Sequence, residues 1–201
     1  DIIWYVEEEV NGVNVLVPKV YLSKETLASL GNNQTGMMAG NGINISAVEV
    51  NNTGNIKSSG SITINAEKIL NKSVLGDFKA LIAGNDIEIV SVNDIKNIGA
   101  EISADNNISL ESIKGSIWNK STLRENTNLN GIVISNFEDS GEIKAGNDII
   151  ISANNNFVNS AGALKANNNI AVSSNDIVLD TIQLNNSTNK KNYQKETIEN
   201  V

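Results

Sequence analysis

Four aspartates, Asp86, Asp105, Asp148 and Asp176, recur beside Asn- and Gly-rich clusters and invite a metal reading. Calcium-binding β-rolls place carboxylates on consecutive turns, but they use a Gly-Gly-x-Gly-x-Asp nonapeptide. Here the recurrence is near 20 residues and Asp alternates with Asn, which favours turn chemistry over a metal site. A second candidate chemistry is polysaccharide cleavage, which needs carboxylates paired across a groove, or carboxylates with calcium and a basic residue. Glu7–Glu9 fall in a strand-like opening, Glu138–Asp139 fall in a turn, and the one arginine, Arg124, falls in a loop. None of these gains partners at spacings that one face would gather. The phrase "AGNGINI" is Gly-rich, but no helix and no Lys-Ser/Thr come after it, so it is not a phosphate loop. Trp4, Tyr5 and Trp118 could stack on sugars, although scattered aromatics more often fill cores and corners. Asn71–Ser73 and Asn119–Ser121 form Asn-x-Ser triplets, which an Asn-rich chain produces by composition alone.

Composition narrows the chemistry further. The 201 residues contain no Cys and no His. That removes thiol nucleophiles, imidazole acid–base chemistry and the usual zinc and copper ligands. The reading from residues is therefore of a protein that is not an enzyme and has no cofactor and no metal. Net charge is −8, and the 15 Lys and Arg form no basic stripe. Phosphate binding needs clustered cations, so nucleic acid is not expected as a partner. No run of 18 apolar residues is present, so no membrane-spanning helix is expected. The opening "DIIWYVEEEV" lacks Met and a basic leader, and reads as part of a longer polypeptide.

The elements that would position these residues emerge from one repeated phrase. "AGNDIEI" at Ala83 is succeeded by "ADNNISL" at Ala104, "AGNDIII" at Ala145 and "ANNNIAV" at Ala166. Taking the fifth residue as an anchor gives Ile43, Ile62, Ile87, Ile108, Ile132, Ile149 and Ile170. Two residues on stand Ile45, Ile64, Ile89, Leu110, Ile134, Ile151 and Val172, with mostly polar or small residues between. Alternation with period two marks a strand with one buried face. Four residues after the anchor come Ala47, Ala66, Ser91, Ser112, Ala153 and Ser174, which suit a tight corner; only the Ile132 phrase breaks this, with Asn136. Asn, Asp and Gly then introduce a further short strand.

A unit of about 20 residues with three short strands predicts a right-handed parallel β-helix, an all-β solenoid. The seven anchor pairs should stack as aliphatic ladders. Asn, with 35 positions, would serve the corners, and the β-branched Ile, with 27, the strands. Residues 75–80 and 121–130 account for the long steps and should be loops leaving the shaft. The first 30 residues differ. Two β-rich runs, Ile2–Val10 and Val13–Val17, flank Asn11–Gly12, the strongest short hairpin signal. Pro18 should lie at an edge or strand end, and a short helix should run from a Ser23 cap to Gly31. The expected organisation is a capping hairpin and helix over 1–30, the repeat shaft over 31–184, and a polar tail over 185–201.

These phrases resemble the haemagglutinin repeats of filamentous haemagglutinin-type exoproteins, a group that includes contact-dependent growth inhibition effectors. The opening "DIIWYVEEEVNGVNVLVPKVYL" is similar to a segment that precedes such repeats. The closing "NYQKETIENV" is similar to the segment on their C-terminal side, so the resemblance covers nearly the whole chain. It implies a structural filament segment of a large adhesin or toxin-delivery protein. Such a protein is secreted through an outer-membrane transporter by two-partner secretion. It is displayed at the bacterial cell surface and meets a receptor or glycan on a host or neighbouring cell. It supplies no catalytic residues here. The alternatives are a glycan-binding or polysaccharide-degrading β-helix.

Overall fold

In the computed structural model, residues 2–10, 12–21, 36–74, 79–127, 132–184 and 186–188 are described. The expected helix from Ser23 to Gly31 lies outside them, as do Asn11 and most of the 75–80 loop. Two units are present, Asp1–Thr35 and Gly36–Val201.

The first unit holds an antiparallel ribbon of β1 (Ile2–Val10) and β2 (Val13–Tyr21), with Val10 opposite Val13 and Ile2 opposite Tyr21. Gly12 adopts φ 78°, the left-handed conformation that a two-residue hairpin loop requires and that costs glycine least. β2 runs past Val17, and Pro18 sits within it opposite Tyr5. In a two-stranded ribbon each strand has an open edge, so a missing N–H is tolerated there.

The second unit is a parallel β-helix. Its first coil carries β3 (Met37–Gly40) and β4 (Ile43–Asn52), and its second β5 (Asn55–Ser58) and β6 (Ile62–Lys72). In the third coil the long strand divides, giving β7 (Leu81–Gly84), β8 (Ile87–Ser91) and β9 (Ile95–Ile98). The fourth has β10 (Glu101–Ala104), β11 (Ile108–Ser112) and β12 (Ile117–Lys120). After an excursion through β13 (Leu123–Thr127) and β14 (Ile132–Phe137), the fifth has β15 (Glu142–Ala145), β16 (Ile149–Ala153) and β17 (Asn156–Ser160). The sixth has β18 (Ala163–Ala166), β19 (Ile170–Ser173) and β20 (Asp176–Asp180), and β21 (Asn186–Thr188) comes next.

Equivalent strands stack in register and in parallel. One sheet runs β3-β5-β7-β10-β15-β18. The other stacks are β4-β6-β8-β11-β16-β19 and β6-β9-β12-β17-β20. Ile62 pairs with Ile87, Ile87 with Ile108, Ile108 with Ile149 and Ile149 with Ile170. Ile64, Ile89, Leu110, Ile151 and Val172 form the parallel column beside it. From Ile62 to Ile151 these positions are at most 2% exposed. Ile43 and Ile45 open the columns; Ile170, at 45% exposed, and Val172 end them. Two more apolar columns complete the core. Ile56, Ile82, Ile102 and Ile143 come from the first sheet, and Val50, Ile69, Ile95, Ile117 and Phe157 from the third stack. Each buried isoleucine contributes about 1.5–3 kcal/mol, so a coil becomes stable only when neighbours cover both its faces.

Ile132 and Ile134 do not belong to the columns. β14 pairs antiparallel with β13 and with β21, Ile134 faces Asn126 and Asn186, and its side chain is 40% exposed. The described residues form six coils, and the Ile132 phrase, fifth of the seven, is an excursion. Its neck closes where Thr122 N–H donates to Asp139 O at 2.8 Å and Glu138 N–H donates to Thr122 O at 3.1 Å. The shaft therefore runs from β11 to β16 and from β12 to β17 without a break. Replacing residues 123–138 by an Asn-Gly turn is expected to leave the shaft folded, with a melting temperature within a few degrees of the parent by circular dichroism.

Candidate functional site

The corner residues show what the Asn and Asp of the phrase do. Asp86 Oδ1 accepts the backbone N–H of Asn107 at 3.2 Å and its side-chain amide at 3.0 Å, one coil on. Asp148 Oδ1 accepts the backbone N–H of Asn169 at 2.9 Å and the side-chain amides of Asn168 and Asn169. Asn147 bridges the same corner by donating to Asn107 Oδ1 at 2.9 Å. These carboxylates cap exposed turn amides of the neighbouring coil. Glycine is required beside them, since a Cβ on Gly146 would stand 1.9 Å from the Asp105 carbonyl oxygen. The small residues at the next corner are also engaged: Ser91 Oγ donates to Glu67 O and Asp94 O, and Ser112 Oγ to Asn93 O.

A shallow groove of about 370 Å³ runs along this corner, lined by Thr63, Asp86, Glu88, Ser109, Asp148 and Ile150. Among the described residues no three of His, Cys, Asp and Glu are grouped so as to hold a metal. Asp105 and Asp176 do not line the groove. Glu7 and Glu9 lie on β1, in the other unit. Glu138 stands at the neck of the excursion, 3.2 Å from Arg124 Nε. Trp118 points outward on β12 between Lys96 and Val158, with its Nε1 buried and without a hydrogen-bond partner among the described residues. Tyr5 is exposed on the hairpin, and the Trp4 side chain lies outside the described residues.

A second array lies inside the shaft and escapes a reading by composition. Asn52, Asn71, Asn97, Asn119 and Asn159 occupy successive coils at one register position. Each side-chain amide N donates to the next Oδ1 at 2.8 Å, from Asn52 through to Asn159. Each also donates to nearby carbonyls; Asn97 reaches Ala100 O at 2.8 Å and Glu142 O at 3.2 Å. Asn71, Asn97 and Asn119 are at most 1% exposed. The signal was available, since each Asn stands two residues beyond the apolar residue of the third stack (Val50, Ile69, Ile95, Ile117 and Phe157), as in "ILNK" and "IWNK". Asn71 and Asn119 of the two Asn-x-Ser triplets are thus buried amides, with Ser73 and Ser121 buried beside them.

On the outer face of the first sheet, charges are interleaved. Lys144 meets Glu101 at 2.7 Å, Lys165 meets Glu142 at 2.9 Å, and Lys79 lies 3.5 Å from Glu101 and 3.4 Å from Glu142. The hydrogen bond from Lys165 holds the Glu142 carboxyl below the usual glutamate value; burial opposes it, and the charges of Lys165 and Lys79 add to the lowering. The hydrogen bond to Glu101 likewise raises Lys144 above the usual lysine value. A lowered carboxyl stabilises above its unfolded value and loses that contribution as pH falls through the folded one. A raised lysine stabilises below its unfolded value and loses it as pH rises through the folded one. Both contributions are present at neutral pH. Urea denaturation from pH 7 to 3 should therefore show a steeper loss for the parent than for Glu142→Gln, the difference staying under about 1 kcal/mol because such pairs are solvent-screened.

Comparison with known proteins places the chain. No family model and no solved structure matches it. It is 34% identical over 123 residues to the tRNA nuclease CdiA of Escherichia coli O6:K15:H31, covering 59% of this chain and 4% of that protein. It is 32% identical over 119 residues to the 16S rRNA endonuclease CdiA of Enterobacter cloacae subsp. cloacae, covering 58% of this chain and 3% of that protein. A protein named Toxin CdiA from Escherichia coli is 34% identical over 123 residues. The match thus spans about 4% of the length of these relatives.

Two expectations are corrected by these names. Residue composition pointed to a protein that is not an enzyme and to no nucleic-acid partner, whereas relatives sharing this segment are named for nuclease action on tRNA and 16S rRNA. The physical reason is one of scale: missing His, Cys and basic stripes in 201 residues carry no information about polypeptides of which the match is a few per cent. Over about 120 residues the chain is a homologue of a segment of the CdiA contact-dependent growth inhibition proteins.

Proposed function

We propose that the chain is a rod-like spacer within a CdiA-type toxin-delivery protein at the bacterial cell surface. The observation that carries this reading is the unbroken register of six coils, with apolar columns and an asparagine ladder shared along the axis. Such a stack transmits length and stiffness, with about 4.8 Å per coil. The whole protein would reach the surface through an outer-membrane transporter, meet a receptor or glycan on a neighbouring or host cell, and carry a nuclease activity like those its relatives are named for.

Excising residues 81–100 tests this, because Ala80 and Ala100 both precede the first strand of a coil and the cut removes one coil whole. In the full-length protein, surface display and inhibition of neighbouring cells should survive. Loss of inhibition with display intact would show that this segment makes a specific contact. Cleavage of tRNA or 16S rRNA by this chain alone would replace the rod reading with a catalytic one. The groove with Asp86, Glu88 and Asp148 supports one alternative, a glycan-binding flank. Glycan-array binding abolished by Glu88→Ala would favour it.

A further inference from the structure

A pocket of about 440 Å³ lies where the second, third and fourth coils, the excursion and the segment after β20 meet. That size falls within the roughly 300–1,000 Å³ of small-molecule sites. Its floor is one outward row, Lys72, Ile98 and Lys120, because Ile98 is the register partner of both lysines. Leu123, at the start of β13, and Ile182, on the segment after β20, add apolar walls.

The charge of this pocket runs against that of the chain. Asp and Glu number 23 against 15 Lys and Arg, yet the lining holds two ammonium groups and no carboxylate. Among the described lysines of the shaft, Lys79, Lys96, Lys144 and Lys165 are each held by a carboxylate, whereas Lys57, Lys68 and Lys114 stand alone on the surface. Lys72 and Lys120 make no ion pair among the described residues. Their Cα atoms are two strand spacings apart, about 9.6 Å, within the span over which two flexible lysine stems converge on one anion. The hydroxyls of Ser73 and Ser121 already donate to Gly99 O and Ala161 O, which leaves the ammonium groups as the recognising donors.

We propose that this pocket binds a small organic phosphate. The phosphate sits between Lys72 and Lys120, and an apolar body lies against Ile98, Leu123 and Ile182. Two cations match a phosphate monoester, which carries about −1.5 to −2 at neutral pH, better than a monocarboxylate. The apolar walls select against inorganic phosphate.

The full chain is titrated with phenyl phosphate and with inorganic phosphate, monitored by NMR chemical shifts. Saturable shifts are expected at Lys72, Ile98, Lys120, Leu123 and Ile182, with phenyl phosphate at least tenfold tighter than inorganic phosphate. The double variant Lys72→Gln, Lys120→Gln should weaken binding at least tenfold. Lys57→Gln with Lys114→Gln, an equal change in net charge outside the pocket, should leave it unchanged. Equal weakening in both double variants, equal affinity for the two phosphates, or shifts spread over the whole surface would overturn the proposal.

Discussion

Ile89→Asp is expected to abolish cooperative folding of the shaft. Ile89 is 0% exposed and stacks between Ile64 and Leu110, which are 0% and 1% exposed. The substitution removes about 1.5–3 kcal/mol of apolar burial. It also places a carboxylate in a dry column with no cation to pair it, which costs several kcal/mol more. Against a total stability of about 5–15 kcal/mol, little remains. Two substitutions give the contrast. Glu88→Ser, on the outward face of the same strand, should change stability by less than about 0.5 kcal/mol. Ile134→Asp should be similarly mild, because that side chain sits on the exposed excursion. Urea denaturation of the three variants checks this; comparable destabilisation by Ile89→Asp and Ile134→Asp would mean that the columns are wrongly drawn.

The second large effect is expected at Asn97. Its Oδ1 accepts from Asn71, and its amide donates to Asn119 Oδ1, Ala100 O and Glu142 O. Asn97→Ala strands a buried donor on Asn71 and buried acceptors around it. At about 1–3 kcal/mol for each unsatisfied group, a loss of roughly 3–5 kcal/mol is expected. Asn97→Asp keeps the shape but sets a carboxylate among three oxygen acceptors, and should be worse at neutral pH. Asn106→Ala, at an exposed corner where the amide reaches Asn85 Oδ1 at 3.2 Å, should cost well under 1 kcal/mol. Equal losses at Asn97 and Asn106 would remove the internal ladder as a source of stability.

The columns were legible because period-two alternation recurs near every 20 residues and the solenoid is its simplest packing. The excursion was not, because alternation reads the same in parallel and antiparallel strands. "GIVIS" carries the anchor pattern, and the one local warning was Asn136 where other phrases have Ala or Ser. The inner asparagines were hidden by abundance: with 35 in the chain, five that line up look like background. The pocket over Lys72 and Lys120 joins residues from β6, β12, β13 and the segment after β20, a combination that only the fold creates.

In the stacked coils the backbone hydrogen bonds between strands lie along the stacking axis, since the strands run across it. A pull along that axis would load those bonds head-on, and they are expected to yield one coil at a time. Each released turn of about 20 residues gives up some 4.8 Å of stack and gains roughly 70 Å of extended polypeptide. Under tension such a stack would let out slack in discrete steps, the longest at the excursion, where 41 residues separate the stacked Ile108 and Ile149.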